Sequence, residues 1–186
     1  LHCHYVPAVD DGVKTVEDGV ALLQALRRVG FDHVVATPHI RPSMFDNKPA
    51  ALREAYAGFV AHLEGQPDVP ATSLAAEHYF DDVTYGLLMR GEGLAYEKGR
   101  TVLVEFPYES LPLGLPARFF DLRMKRLRPI VAHPERYEPF WRKPDQAAET
   151  MRRAGGVLLM DVAALVGKYG SKAQRTAEAL VESEAY

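Results

Sequence analysis

Phe31-Asp32-His33-Val34-Val35-Ala36-Thr37-Pro38-His39 decides how this chain is read. Its centre is a short apolar run, as in a strand buried on both faces of a parallel sheet. It follows an amphipathic stretch and ends on an imidazole. Working outward, four more stretches end on a metal-type ligand: His2-Cys3-His4, Ala75-Ala76-Glu77, Leu103-Val104-Glu105 and Val131-Ala132-His133. From His4 the ligands step by 35, 38, 28 and 28 residues, close to the roughly 30 residues of one strand–helix–strand unit. Strand ends of a parallel barrel meet at one rim, so this spacing places imidazoles and carboxylates around a common mouth.

The segments between the ligands fit that repeat. Thr15 to Gly30 reads as a helix, with Thr15 as its cap, Glu17 and Asp18 in the first turn, and Leu22, Leu23, Leu26 and Val29 as an apolar face. Gly30 is placed to end it. The strand Phe31 to Thr37 follows, then a polar loop, Arg41 to Lys48, with Met44 and Phe45 at its tip. Further helices are expected over Pro49 to Gly65, Val83 to Arg90, Leu115 to Leu127, Asp145 to Ala154 and Ser171 to Glu184. Further strands are expected over Thr72 to Ala76, Thr101 to Phe106, Pro129 to Ala132 and Val157 to Val162. The order is β-α repeated six times, so the class is α/β with a parallel sheet, closing as a barrel. Residues 1–186 read as a single domain. The chain stops after a helix, where the repeat would next supply a strand, so the last strand of the barrel is expected to be missing from it.

Composition narrows the function. With 47% hydrophobic residues and a net charge of −3 the chain is an ordinary globular protein. The absence of a basic excess points away from nucleic acid, and no apolar stretch approaches the ~18 residues of a membrane span. No signal peptide is visible, and the single cysteine allows no internal disulfide, which fits the cytoplasm. Oligomeric state is not legible.

His2 and His4 are two apart on a strand and face the same side, while Cys3 points away. Asp10-Asp11-Gly12 alone is a turn; beside two histidines at the same rim it offers a further carboxylate. Glu77 and Glu105 each follow apolar residues, where a carboxylate needs compensation from a cation or from a basic side chain. Arg136, three residues after His133, suits an anionic substrate oxygen such as phosphate. His33 at the start of a strand, His62 within a helix and His78 beside Glu77 read as structural, and Asp161 as a weaker candidate. Imidazoles and carboxylates without thiolate disfavour a structural zinc site and suit Mn, Fe, Zn or Mg, in more than one ion. A cysteine-based phosphatase needs Cys, five residues, then Arg; Cys3 is followed at that distance by Val9-Asp10.

Together His2-x-His4, Val9-Asp10-Asp11-Gly12, Ala36-Thr37-Pro38-His39, Ala76-Glu77-His78-Tyr79, Val104-Glu105-Phe106 and Val131-Ala132-His133-Pro134-Glu135-Arg136-Tyr137 resemble the PHP (polymerase and histidinol phosphatase) superfamily. Within it the chain is similar to the bacterial manganese-dependent protein-tyrosine phosphatases of capsule and exopolysaccharide operons. The resemblance spans essentially the whole chain. It implies a distorted (β/α)7 barrel with three Mn2+ ions held by His2, His4, Asp11, His39, Glu77, Glu105 and His133, with Glu77 bridging. It implies that Arg136 holds the phosphate and that Asp11 and Glu105 share in catalysis. It also implies a phosphotyrosine protein substrate, a bacterial tyrosine kinase with a tyrosine-rich tail. The family's Asp-x-His motif, on the last strand, is not found in residues 1–186. Two other readings stay open: a PHP phosphoesterase acting on histidinol phosphate or nucleotides, and a degenerate barrel without catalysis.

Overall fold

A computed structural model describes residues 2–96 and 99–186. Eight strands and seven α-helices follow in this order: β1 (His2–Cys3), α1 (Val16–Arg28), β2 (His33–Ala36), β3 (His39–Ile40), α2 (Pro49–Ala61), β4 (Ala71–Leu74), β5 (Glu77–Tyr79), α3 (Asp82–Met89), β6 (Thr101–Glu105), α4 (Leu115–Met124), β7 (Arg128–Ala132), α5 (Glu138–Arg142), α6 (Pro144–Ala154), β8 (Val157–Leu159) and α7 (Ser171–Glu182). Every strand pairing within the sheets is parallel. Thr15 caps α1 by accepting from the Asp18 N–H at 3.1 Å, and Asp81 caps α3 through the Thr84 N–H at 2.8 Å.

The expected single sheet is divided in two, ordered β1-β2-β4 and β3-β5-β6-β7-β8. The break falls at Thr37-Pro38 and at Ala75-Ala76. Pro38 has no N–H to give to a ladder, and Ala76 turns its own N–H to the Leu94 carbonyl at 3.1 Å. The join is nevertheless bonded: the Ala75 N–H donates to Ala36 at 2.8 Å and the Glu77 N–H to Pro38 at 3.0 Å. His39 and Glu77 therefore begin second strands instead of ending first ones. Across the join the strands still follow one another in chain order. Among the described residues no pairing joins β8 to β1.

Two smaller departures have local causes. β8 stops at Leu159, short of Val162, because the Asp161 side chain accepts from the Ala163 N–H at 3.0 Å and starts a 3-10 turn, Val162–Ala164. α5, only five residues long, is too short to show a period in sequence.

The helices cover the strands with two apolar clusters. The larger joins Phe80, Phe106, Phe119, Tyr137, Phe140 and Met151 beneath β6, β7 and β8. The smaller joins Tyr5, Leu23, Val34 and Phe59 beneath β1 and β2. Val102, Leu103 and Val104 of β6 are all fully buried, as expected where both faces of a parallel strand are packed. With that core fixed, the polar strand ends project into one cavity.

Candidate metal centre

Glu77 opens β5 and is 1% exposed. Four imidazoles surround its carboxylate. Oε2 lies 3.5 Å from His2 Nε2, 3.4 Å from His4 Nε2 and 3.4 Å from His39 Nδ1. Oε1 lies 2.9 Å from His133 Nε2. Glu105, at the end of β6, brings Oε2 to 3.6 Å from His39 Nδ1. Asp11, whose side chain is 67% exposed, places Oδ1 3.5 Å from His39 Nε2. All seven expected ligands and Arg136 line one cavity of about 780 Å³.

Neighbouring groups hold the rings in place. The Thr37 hydroxyl is turned to the Cys3 carbonyl at 3.3 Å, so the His2 Nδ1–H donates to Thr37 Oγ1 at 2.5 Å and leaves Nε2 facing Glu77. The His4 Nδ1–H donates to Asp10 Oδ2 at 2.7 Å, with the same consequence for its Nε2. Asp10 also accepts from the backbone N–H of His39 at 2.9 Å and of Gly12 at 2.9 Å. A Cβ on Gly12 would stand 2.3 Å from the His4 carbonyl oxygen, so the turn closes only around glycine. His133 holds a left-handed backbone, φ 35° and ψ 57°, and its N–H donates to Leu159 at 2.7 Å. Such a conformation is uncommon outside glycine and gathers at functional sites.

Charge in the cluster is unevenly shared. Burial pulls His2 down to about 4, against the charge of Glu77. Burial acts the same way on His4, but its hydrogen bonds to Asp10 and Glu77 prevail and raise it to about 10. Glu77 is held well below the carboxylate range: burial opposes this, but His2, His133 and His4 outweigh it. Glu105 is pushed up by burial and by the charge of Glu77.

The donor set fits divalent cations. Three groups place one ligand atom each within 4.8 Å of one another: His2, His4 and Glu77; His4, Asp11 and His39; His39, Glu77 and Glu105. Buried His39 Nδ1, Glu105 Oε2 and His133 Nδ1 have no hydrogen-bond partner among the described residues. A buried polar atom left so costs ~1–3 kcal/mol, and a cation satisfies it. Imidazole and carboxylate without thiolate suits several first-row ions and Mg.

Around Arg136 the cavity contains residues that sequence did not single out. Arg136 bonds the Tyr108 hydroxyl. Its Cζ lies 4.5 Å from the Tyr169 ring centroid and 5.3 Å from that of Tyr108. Asp161 stands 4.0 Å from the Arg136 guanidinium and accepts from the Tyr169 hydroxyl at 2.5 Å. Phe45 stacks on His39 at 5.2 Å and 12°. Asp10, Thr37, Arg41, Tyr108 and Tyr169 went unread as contributors to the site; only Asp10 had a signal, its place in the Asp-Asp-Gly turn. His33, His62 and His78 stay outside the cluster: they bond Ser73, the Gly58 carbonyl and the Leu103 carbonyl.

The chain is similar to known tyrosine-protein phosphatases. Tyrosine-protein phosphatase YwqE of Bacillus subtilis (strain 168) is 29% identical over 185 residues, covering 98% of this chain and 72% of the relative. Tyrosine-protein phosphatase CpsB of Streptococcus pneumoniae is 28% identical over 138 residues, 74% of this chain and 57% of the relative. Among solved structures, the crystal structures of YwqE from B. subtilis and CpsB from S. pneumoniae, described as unique metal-dependent tyrosine phosphatases, include a chain that matches with a TM-score of 0.89. Identity to it is 27%, over 99% of this chain and 74% of that one. No helix of the described residues is long and apolar enough to cross a membrane. The profile described as "Capsular polysaccharide synthesis, CpsB/CapC" matches residues 1–185, and the chain belongs to that family.

Proposed function

We propose that this protein is a metal-dependent phosphatase that hydrolyses phosphotyrosine on protein. The observation that carries this reading is the buried Glu77 carboxylate ringed by four imidazole nitrogens within 3.5 Å. His2, His4, Asp11, His39, Glu77, Glu105 and His133 would hold the ions; three Mn2+ ions suit seven such donors, and Fe, Zn or Mg suits the same chemistry. Bound ions supply Lewis acidity, which polarises phosphoryl oxygens and makes a water nucleophilic near neutral pH.

The side chains do the rest. Thr37 and Asp10 fix the tautomers of His2 and His4. Arg136, braced by Tyr108, Tyr169 and Asp161, presents its guanidinium to a phosphoryl oxygen in the geometry that suits it. Asp11, exposed at the mouth, and Glu105, buried at the end of β6, are the carboxylates that would orient an entering water and take its proton. Phe45 and Tyr108 offer flanking surfaces to an aromatic ring. The leaving tyrosine phenolate has a conjugate acid of pKa about 10, so it departs with less protonation help than an alkoxide.

The sequential parallel strand order supports a distorted (β/α)7 barrel of PHP type, of which the strands described here fill six positions. Family membership in capsular polysaccharide synthesis supports a bacterial tyrosine kinase of that system as the physiological substrate, in the cytoplasm. The test is a substrate panel on the manganese-loaded protein. Phosphotyrosine peptides should turn over far faster than histidinol phosphate or 5′-nucleotides. A reversed ranking would reject the assignment.

A further inference from the structure

The cavity that Arg136 lines holds a second guanidinium. Arg41 follows β3, and its backbone closes a tight turn: the Arg41 N–H donates to Phe45 at 3.0 Å and the Phe45 N–H returns to Arg41 at 2.8 Å. Asn47 anchors the turn from below, donating to the carbonyls of Val9 and His39 at 2.9 and 2.8 Å. The turn is therefore held to the strand that bears His39, and Phe45 lies flat on that ring. Arg41 Cζ sits 4.4 Å from the Tyr79 ring centroid. Tyr79 is two residues after Glu77 on β5 and is the register partner of Glu105, so its ring shares the face that Glu77 presents. The Arg41 guanidinium is thus pinned over the edge of the ligand cluster, with its side chain only 23% exposed.

Its nearest carboxylate does not occupy it. Glu105 Oε2 is 3.6 Å from Arg41 Nη1, outside hydrogen-bond reach. That same oxygen faces His39 Nδ1 within the donor group that also contains Glu77. A cation held by His39, Glu77 and Glu105 would offset the Glu105 charge and leave the Arg41 N–H groups to an incoming anion. A phosphoryl oxygen drawn to that group would come within reach of Arg41, and Arg136 lines the same cavity. We propose that Arg41 is a second phosphate-binding residue, which with Arg136 grips the dianionic head of the substrate from two sides, while Phe45 on the same turn meets the aromatic ring. This deepens the phosphatase reading and rests on it for the choice of phosphate monoester.

Manganese-loaded wild type, Arg41→Gln and Arg41→Lys are compared by calorimetric titration with inorganic phosphate, by metal analysis, and by KM and kcat on a phosphotyrosine peptide. Both variants should retain the wild-type metal content. Arg41→Gln should bind phosphate roughly ten- to a hundredfold more weakly, the range that charge-assisted hydrogen bonds supply. KM should rise more than kcat falls, and Arg41→Lys should recover only part of the loss, because an ammonium lacks the fork. Unchanged phosphate affinity at full metal content would overturn the proposal. So would a loss of metal in Arg41→Gln that by itself accounts for the weaker binding, since Arg41 would then serve the ions alone. Wild type that binds phosphate through Arg41 yet leaves phosphotyrosine peptide intact would remove the tyrosine reading and keep the Arg41 site.

Discussion

Asp10 holds His4 from behind: the imidazole Nδ1–H donates to Asp10 Oδ2 at 2.7 Å, and that oxygen also accepts from the backbone N–H of His39 at 2.9 Å. One carboxylate thus orients the His4 imidazole and fixes the backbone of His39, two of the four histidines that face Glu77. Asp10→Asn keeps the shape and removes the charge. Metal affinity should fall by about ten- to a hundredfold, as for other carboxylates behind ligand histidines. Titration of the metal-free variant with Mn2+ measures this, and excess Mn2+ should restore much of the activity. Wild-type affinity in the variant would remove the orienting role.

Gly12 and Gly58 should respond to alanine in opposite directions. A Cβ at Gly12 would meet the His4 carbonyl oxygen at 2.3 Å and the His4 Cβ at 2.5 Å, so Gly12→Ala must displace a ligand. Turnover should drop sharply. A Cβ at Gly58, in α2, meets nothing within 4 Å. Gly58→Ala should stabilise the fold by about 0.5–1 kcal/mol with activity unchanged. Denaturant midpoints and initial rates on both variants decide the matter; equal effects would contradict the close approach.

Cys3 should be dispensable for chemistry. Its thiol is raised to about 11, chiefly by burial, so almost no thiolate exists at neutral pH, and it packs among the apolar residues beneath β1. Cys3→Ala should leave kcat close to wild type and resistant to thiol alkylation. A dead Cys3→Ala protein that remains folded and metal-loaded would contradict a metal-based mechanism.

His78 should make the fold sensitive to acid. It is fully buried, donates from Nδ1 to the Leu103 carbonyl at 3.0 Å and accepts from the Leu94 N–H at 3.3 Å. Burial lowers it to about 4, below the ~6.5 of an unfolded chain. Above pH ~6.5 the group is neutral in both states and costs nothing. Below that, the unfolded chain binds a proton that the folded one refuses, so stability falls until pH ~4, by about 3 kcal/mol in all. In metal-free protein, wild type should lose more stability than His78→Gln between pH 7 and 5, read from urea midpoints. Parallel slopes would show that His78 is not buried neutral.

How much was legible beforehand depended on whether a residue sat in a periodic segment. Glu77 and Glu105 stood out because a carboxylate next to Ala-Ala or Leu-Val demands a partner, and strand spacing put them with His4, His39 and His133. Loops have no period, so the Asp10-Asp11-Gly12 turn marked both aspartates without telling which turns inward. Both matter: Asp10 faces back to His4 while Asp11 faces the mouth. Arg41 read only as the start of a polar loop, because its position depends on the backbone closure with Phe45 and on the Tyr79 ring. Pro38 carried a usable signal for the break in β2, having no N–H; Ala75-Ala76 carried none, and its break shows only through the Leu94 carbonyl. The left-handed His133 was hidden too, since a residue before proline ordinarily prefers extended backbone.

The divided sheet has a consequence for the whole molecule. His2 and His4 belong to the wall built by β1, β2 and β4, while Glu77, Glu105 and His133 belong to the wall built by β3, β5, β6, β7 and β8. At the seam the two walls share a few backbone bonds, so ions held from both sides would act as rivets. Chelation would then slacken the seam itself and let the two walls breathe separately, making metal supply a control on the rigidity of the enzyme as well as on its chemistry.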